Sequence, residues 1–348
     1  MKRILFCGGG SAGHVIPNLA VMNELKYTHR ITYMGTGGIE RELVGKAGYP
    51  FFRVDCPKLV RTFTPENLKI PFRLRQAKKE ALAILKKEAP DLVFSKGGFA
   101  SYPAVWAAHK LKIPAVTHES DLSAGLCTKL IAKKCKYVLT SFPETAKLFS
   151  NGKYVGSPIR REILCGERTR ALKKFSLPAH LPVLLVLGGG SGSKAINERV
   201  RQSLPELLKD FSVLHLCGAN NLMENPPERY VQREFESDMG SAYACADLVL
   251  CRAGSNTVFE LLALKKPAVL VPLERGSRGD QLDNALYFEK KGLCKILRES
   301  ANVPLYDALT EAHNDVALKH ALGDCDFTSG TPAILDLIQE ILSAGANG

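Results

Sequence analysis

Ile4-Leu5-Phe6-Cys7-Gly8-Gly9-Gly10-Ser11-Ala12-Gly13-His14 is an apolar run, a glycine turn and the start of a helix. The same order returns at Val183-Leu184-Leu185-Val186-Leu187-Gly188-Gly189-Gly190-Ser191-Gly192-Ser193. A short continuous apolar run bounded by turn signals reads as a buried strand. A glycine turn at a helix N-terminus lets backbone N–H groups crowd a phosphate, where the helix dipole favours negative charge. Two such units, half a chain apart, predict two nucleotide-fold domains facing each other.

Composition agrees with two domains. A chain of 348 residues is long for one core and comfortable for two. Hydrophobic residues make up 45% and charged residues 24%, the balance of a globular protein. No apolar run approaches the roughly 18 residues of a membrane span. The first strand signal begins at Arg3, leaving no room for a signal peptide. The ten cysteines show no CxxC pair and no metal-ligand spacing. They read as reduced core residues of a cytosolic protein.

The charge is unevenly placed. Residues 1–160 carry 26 Lys+Arg against 11 Asp+Glu, while residues 161–348 carry 21 against 24. The first half is therefore strongly basic and the second nearly neutral. A basic excess implies an acidic partner: nucleic acid, an anionic membrane or a multiply phosphorylated substrate.

Strand signals fall at 3–7, 30–34, 51–54, 91–95, 113–117, 136–140 and 153–155, then at 183–187, 212–216, 229–232, 247–251, 268–271 and 294–297. Amphipathic stretches separate most of them, which predicts βαβ units and parallel sheets. Gly156-Ser157-Pro158-Ile159-Arg160 reads as a hinge. Residues 331–343 read as a last helix, with Pro332 in its first turn.

Gly8-x-Gly10-x-x-Gly13 fits the dinucleotide fingerprint, but the second strand runs into Gly35-Thr36-Gly37-Gly38 instead of an acidic residue for a ribose. The turn is read as an anion site without dinucleotide specificity, or as helix packing alone. His14 follows it in the first helical turn. The dipole there disfavours an imidazolium, so a neutral ring can accept a proton; simple packing is the alternative. A third cluster, Lys96-Gly97-Gly98-Phe99, follows another strand and suits a second phosphate, or is an ordinary βα loop.

The sharpest local signal is Cys251-Arg252-Ala253-Gly254-Ser255-Asn256-Thr257-Val258-Phe259-Glu260. Ser255 to Thr257 at a helix N-terminus suit phosphate oxygens. Glu260, a turn further on, suits the two hydroxyls of a ribose, so together they suit a nucleoside diphosphate. A capping box is the alternative. Asp280-Gln281 opens another helix with groups suited to sugar hydroxyls. Asp324-Cys325-Asp326 has the DxD form of some metal sites but lies in a polar turn, away from any strand end.

Residues 66–88 hold Lys69, Arg73, Arg75, Lys78, Lys79, Lys86 and Lys87. Leu74, Ala77, Ala81 and Leu85 share one helical face and read as core. Leu68, Ile70 and Phe72 are harder to bury. A basic, partly apolar surface helix suits an anionic membrane. Nucleic acid is disfavoured because aromatics do not interleave with the charges.

These motifs, in this order, resemble the MurG family of bacterial glycosyltransferases, glycosyltransferase family 28. The matching pieces are Gly9 to Pro17, Lys96 to Phe99, His118-Glu119-Ser120-Asp121, Gly156 to Arg160, Gly188 to Gly192, Arg252 to Glu260 and Gln281-x-x-Asn284. The likeness covers essentially the whole chain. It implies an α/β GT-B fold: two Rossmann-like parallel-sheet domains with an interdomain cleft. Residues 1–157 plus 331–348 would form the acceptor and membrane-facing domain, and residues 158–330 the UDP-GlcNAc domain. It also implies inverting, metal-independent transfer of GlcNAc from UDP-GlcNAc to the C4 hydroxyl of MurNAc in lipid I, giving lipid II.

By the same resemblance, Glu260 would take the ribose. Ser255, Asn256, Thr257, Gly190 and Ser191 would face the donor diphosphate. Arg160 and Glu236 would lie by the uracil, and Gln281 with Asp280 would read GlcNAc. Gly9, Gly10, Ser11 and Gly13 with Lys96, Gly97, Gly98 and Phe99 would hold the lipid I diphosphate. Ser11, Ala12, Gly13 and Asp121 would also border the donor, and His14 is the candidate base. Ala12, Asp121 and Gly190 depart from residues common in the family. The implied partners are UDP-GlcNAc, lipid I, anionic inner-leaflet lipids and the cell-wall synthesis machinery. Neither nucleic acid nor a metal or other cofactor is implied, and the implied place is the cytoplasmic face of the membrane. Alternatives are another GT-B enzyme (a UDP-GlcNAc 2-epimerase or a different lipid or natural-product glycosyltransferase) and a non-enzymatic sugar-nucleotide-binding regulator or anionic-membrane adaptor.

Overall fold

A computed structural model describes residues 1–57, 69–274 and 279–344. The chain divides into two compact units, Met1–Arg160 with Ser329–Gly348, and Arg161–Thr328. The divisions fall a few residues from the expected 157/158 and 330/331. Gly156 to Arg160 stay with the first unit because its own returning segment ties them down. Gly330 N donates to Ser157 O at 2.8 Å, and Ile159 N donates to Thr331 Oγ1 at 3.2 Å.

The first unit runs β1 (Arg3–Cys7), α1 (Ala12–Leu25), β2 (Arg30–Gly35), α2 (Ile39–Lys46), β3 (Phe51–Arg53), α3 (Ile70–Glu88), β4 (Leu92–Ser95), α4 (Ser101–Lys110), β5 (Ala115–Glu119), α5 (Leu126–Ile131), β6 (Tyr137–Thr140), α6 (Pro143–Ala146) and β7 (Gly152–Tyr154). The second runs α7 (Arg168–Lys174), β8 (Val183–Leu187), α8 (Lys194–Gln202), α9 (Leu204–Asp210), β9 (Ser212–Leu216), β10 (Tyr230–Arg233), α10 (Met239–Cys245), β11 (Leu248–Cys251), α11 (Ser255–Ala263), β12 (Ala268–Leu270), α12 (Asp280–Glu289), β13 (Lys295–Ile296), α13 (Leu305–Asn314) and α14 (Val316–Asp324). The last helix, α15 (Thr331–Ala344), belongs to the first unit.

Every strand expected from the sequence forms, with small shifts at the ends. β5 starts later than its apolar run because Pro114 has no N–H to give a ladder. The first sheet has seven strands in the order β3-β2-β1-β4-β5-β6-β7, and the second has six in the order β10-β9-β8-β11-β12-β13. The strand pairings are all parallel. In both sheets the order reverses beside the first strand, at β1/β4 and at β8/β11. Ligands of such sheets bind outside the carboxyl ends of the strands at that switch point. The four loops singled out from the sequence, after β1, β4, β8 and β11, are the loops at these two points.

The pleat sorts the first core into two layers. Ile4 and Phe6 pack with Val15, Val21, Val44, Ile334 and Ile338 on one face. Leu5 and Cys7 pack with Ala77, Ala81, Leu85, Ala104 and Ala108 on the other. Burial of Ile334, Ile338, Ile341 and Leu342 anchors α15, each side chain contributing roughly 1.5–3 kcal/mol. Leu184, Val186, Val200, Leu207, Val213, Leu250 and Leu309 centre the second core. All ten cysteines are free; seven are buried, Cys127 and Cys325 are half-buried and Cys165 is exposed. Among the described residues, no helix is long and apolar enough to cross a membrane.

Candidate functional site

In the first unit, the loops after β1 and β4 interlock at glycines, three of them in a conformation only glycine adopts freely. Gly10, Gly97 and Gly98 have φ of +90°, +78° and +75°. A Cβ on Gly10 would lie 2.7 Å from the Phe99 ring, and one on Gly98 would run into Gly9 O and sit 3.2 Å from His14 Nδ1. Gly9, Gly10, His14, Gly97, Gly98 and Phe99 therefore lie together.

Ser11 is extended at the N-cap of α1, but its hydroxyl makes no capping bond. It lies 3.1 Å from Nδ1 of the half-buried His14. A proton on Nδ1 directed at Ser11 Oγ leaves the lone pair on Nε2, the arrangement a general base needs. Ser11 and Gly13 are exposed and Ala12 half-buried at the same helix start.

Glu40, on α2, was not read from the sequence. It is 1% exposed. Its Oε1 accepts from Thr36 N at 2.9 Å and Thr36 Oγ1 at 2.5 Å. Burial alone would raise its pKa, but hydrogen bonds from Thr36, from its own backbone and from the Gly10 N–H outweigh burial and hold it below the usual range. The Glu40 carboxylate also fills the space beside Gly9, where a Cβ would lie 2.6 Å from its Oε1. The spacing Thr36-x-x-x-Glu40 was the available signal, and it resembles many helix starts.

Lys96 is 2% exposed, and its Nζ donates to Ser120 Oγ. Burial lowers its pKa to about 8, against the pull of Glu119 and Asp121. An ammonium so enclosed supports the 120–125 loop through Ser120. Glu119 builds that loop from below. Its Oε1 accepts from Ser120 N and Asp121 N at 3.0 and 3.2 Å, and its Oε2 from Gly125 N and Thr128 Oγ1 at 2.9 and 2.6 Å. Asp121, half-buried, is carried on this frame. His118 Nε2 donates to Gly156 O at 2.9 Å, and burial, then Lys96, keeps its pKa well below the usual value.

In the second unit, the loop after β8 exposes Gly190 and Ser191 ahead of α8, which Ser193 caps by accepting from Ile196 N at 3.4 Å. The loop rests on the end of β9, where a Cβ on Gly218 would lie 2.5 Å from Ser191 O. Beneath it, Asn197 Nδ2 donates to Cys217 O at 2.9 Å, so Asn197 Oδ1 receives His215 Nε2–H at 3.0 Å. His215 Nδ1 then accepts from Tyr230 Oη at 2.9 Å. Burial, then Arg201, drives the His215 pKa down to about 3.

The loop after β11 is tied to the same place by Arg252. Its guanidinium donates to Ser193 Oγ at 2.7 Å and Val271 O at 3.2 Å, and pairs with Glu299 at 2.5 Å. Ser255 is buried at the first turn of α11, with Asn256 and Thr257 half-buried beside it. Glu260 sits past the position from which a capping-box residue reaches back. Its Oε2 accepts from Tyr243 Oη at 2.9 Å. Tyr243 was not read from the sequence.

Gln281 opens α12 beside Asp280, and its Oε1 accepts from Leu273 N at 3.0 Å. Glu236 pairs with Lys174 at 3.0 Å and accepts from Asp238 N at 2.8 Å. Arg160, expected with Glu236, belongs to the first unit, and Glu236 to the second. Asp324 ends α14 facing His320 at 3.0 Å.

Residues 4–140 match the glycosyltransferase family 28 N-terminal domain, and residues 183–320 the glycosyltransferase family 28 C-terminal domain. The chain is 45% identical over 307 residues to the UDP-N-acetylglucosamine–N-acetylmuramyl-(pentapeptide) pyrophosphoryl-undecaprenol N-acetylglucosamine transferase of Clostridium botulinum strain Langeland, covering 86% of this chain and 87% of that protein. It is 45% identical over 312 residues to the enzyme of the same name from Clostridium kluyveri, covering 87% and 88%. The crystal structure of Acinetobacter baumannii MurG superposes with a TM-score of 0.73 at 26% identity, covering 98% of this chain and 100% of that one. Two doubly wound sheets, loops at both switch points and these relatives together mean that the chain belongs to glycosyltransferase family 28, with its GT-B fold.

Proposed function

We propose that this protein moves GlcNAc from UDP-GlcNAc to the C4 hydroxyl of MurNAc in lipid I, with inversion, to make lipid II. The observation that carries the reading is the chemical difference between two otherwise parallel switch points. One has a carboxylate, Glu260, on α11, and Arg252 ties the loop leading into α11 to Ser193, the cap of α8; a carboxylate and two helix N-termini suit a nucleoside diphosphate. The other has the Ser11–His14 pair between two glycine loops, in the basic half of the chain.

In this reading the acceptor hydroxyl attacks C1 of GlcNAc while the C1–O bond to the β-phosphate breaks. The hydroxyl proton passes to His14 Nε2, and UDP leaves. The N–H groups around Ser191 and Ser255 to Thr257 take up the charge that develops on the diphosphate. Gln281 and Asp280 suit the GlcNAc hydroxyls, and the Glu119-braced loop offers Asp121 to a sugar.

The same reading places the protein at the cytoplasmic face of the membrane, beside the cell-wall machinery that lipid II supplies. α3 supports contact with anionic lipid. Ala77, Ala81 and Leu85 are buried as the periodicity expected, with Leu74 packed partly buried against the same core, while Phe72 is 78% exposed among Lys69, Arg73, Arg75 and Lys79. Leu68 lies outside the described residues. Each Lys or Arg near such a surface contributes about 1 kcal/mol.

Radiolabelled UDP-GlcNAc with a short-chain lipid I analogue tests the reaction. Labelled lipid II supports it. Conversion of UDP-GlcNAc without acceptor would indicate epimerase chemistry instead. Flotation with phosphatidylglycerol vesicles tests the surface: R73E/R75E/K79E should lose binding, and neutral vesicles should bind weakly at any salt.

A further inference from the structure

The geometry points to Tyr243 as the positioning residue of the ribose site: its hydroxyl fixes the plane of the Glu260 carboxylate for the 2′- and 3′-hydroxyls of the nucleotide. This rests on the reading of Glu260 as the ribose carboxylate. A carboxylate receives a cis-diol best when its two oxygens are held in the plane of the two donors. A glutamate on a helix has three rotatable bonds with which to leave that plane. Tyr243 removes this freedom. It is 1% exposed, and its O–H donates to Glu260 Oε2 at 2.9 Å.

The phenol can do this because α10 is itself held. Asp238 caps the helix, accepting from Ser241 N at 3.0 Å and Ser241 Oγ at 2.6 Å. Those bonds, with Lys174, hold the Asp238 carboxyl down at about 2. Gly240 lies so close to Glu162 O that a side chain there would collide with it. Lys174 joins Asp238 to Glu236 at 3.1 and 3.0 Å, so the α10 cap is linked to the loop expected near the base. Tyr243 touches neither base nor phosphate in this proposal and acts only through Glu260.

The test compares UDP with 2′-deoxy-UDP by calorimetry on the full chain. Wild type should prefer UDP, and E260A should lose that preference. Y243F keeps the ring in the core and should weaken UDP roughly three- to tenfold while leaving 2′-deoxy-UDP nearly unchanged. The KM for UDP-GlcNAc should rise by the same factor, with kcat at saturating donor within about twofold. In the E260A background, Y243F should cost nothing further. If Y243F weakens both nucleotides equally, or costs as much without Glu260 as with it, Tyr243 is merely structural and the proposal fails. If wild type and E260A both bind the two nucleotides alike, the ribose role of Glu260 falls first and the proposal with it.

Discussion

Glu40 occupies the space that Gly9 leaves open: a Cβ on Gly9 would lie 2.6 Å from Glu40 Oε1. The buried carboxylate and the bare backbone are fitted to each other, with the Thr36 N–H and hydroxyl donating to the same oxygen. G9A should therefore lower stability by about 1–3 kcal/mol, as overpacking does in a close-fitted site. Adding E40A should recover part of that loss, although E40A alone is destabilising because it strips the donors of their partner. Denaturant melts of the three variants check this; strict additivity would mean that the two residues do not compete for the space.

His14 stands 3.1 Å from Ser11 Oγ. H14A should reduce kcat by about 10²–10⁴-fold, the usual contribution of a general base, with the donor KM little changed. S11A should cost less, because it removes only the partner that selects the tautomer. Steady-state kinetics with UDP-GlcNAc and a lipid I analogue decide it, and near-normal turnover by H14A would remove His14 from the mechanism.

Lys96 sets an alkaline signature. Burial lowers its pKa to about 8, below the roughly 10.4 of an unfolded lysine. Below pH 8 the ammonium is charged in both states and the cost of burying it is full. Between about 8 and 10.4 the unfolded chain binds more protons, so stability rises with pH. The stability difference between wild type and K96M should shift towards wild type across that window. A flat difference would show that Lys96 titrates normally.

His215 sets the opposite limit. Its folded pKa is about 3 because of burial, then Arg201, against roughly 6.5 unfolded. The neutral ring thus contributes stability above pH 6.5 that is lost as pH falls towards 3. H215N should flatten that part of the acid melting curve. Unit-resolved hydrogen exchange should place the change in the second sheet, at β9 and α8.

How much was legible follows from what each residue interacts with. Val183 to Leu187 and Ile4 to Cys7 announce themselves because a parallel strand is covered on both faces and reads as an unbroken apolar run. The glycine turns are legible for a related reason, since the strand, turn and helix lie next to one another in the chain. Ser255 to Glu260 could be read as one local unit, and its place at a helix start held.

The tertiary structure alone decided which polar groups meet. Lys96 lies beside Gly97 in sequence, yet its ammonium goes to Ser120, on the loop after another strand. Tyr243 and Glu260 belong to α10 and α11, and no periodicity links them. Glu40 is near Thr36 in sequence, but its meeting with Gly9 depends on β1 and β2 lying side by side. The sequence by itself determined two parallel-sheet domains, their loops and the family likeness, because burial and backbone conformation are recorded locally. The supports of the site were decided only when separate elements packed, because a side-chain hydrogen bond depends on distance in space and leaves no pattern along the chain.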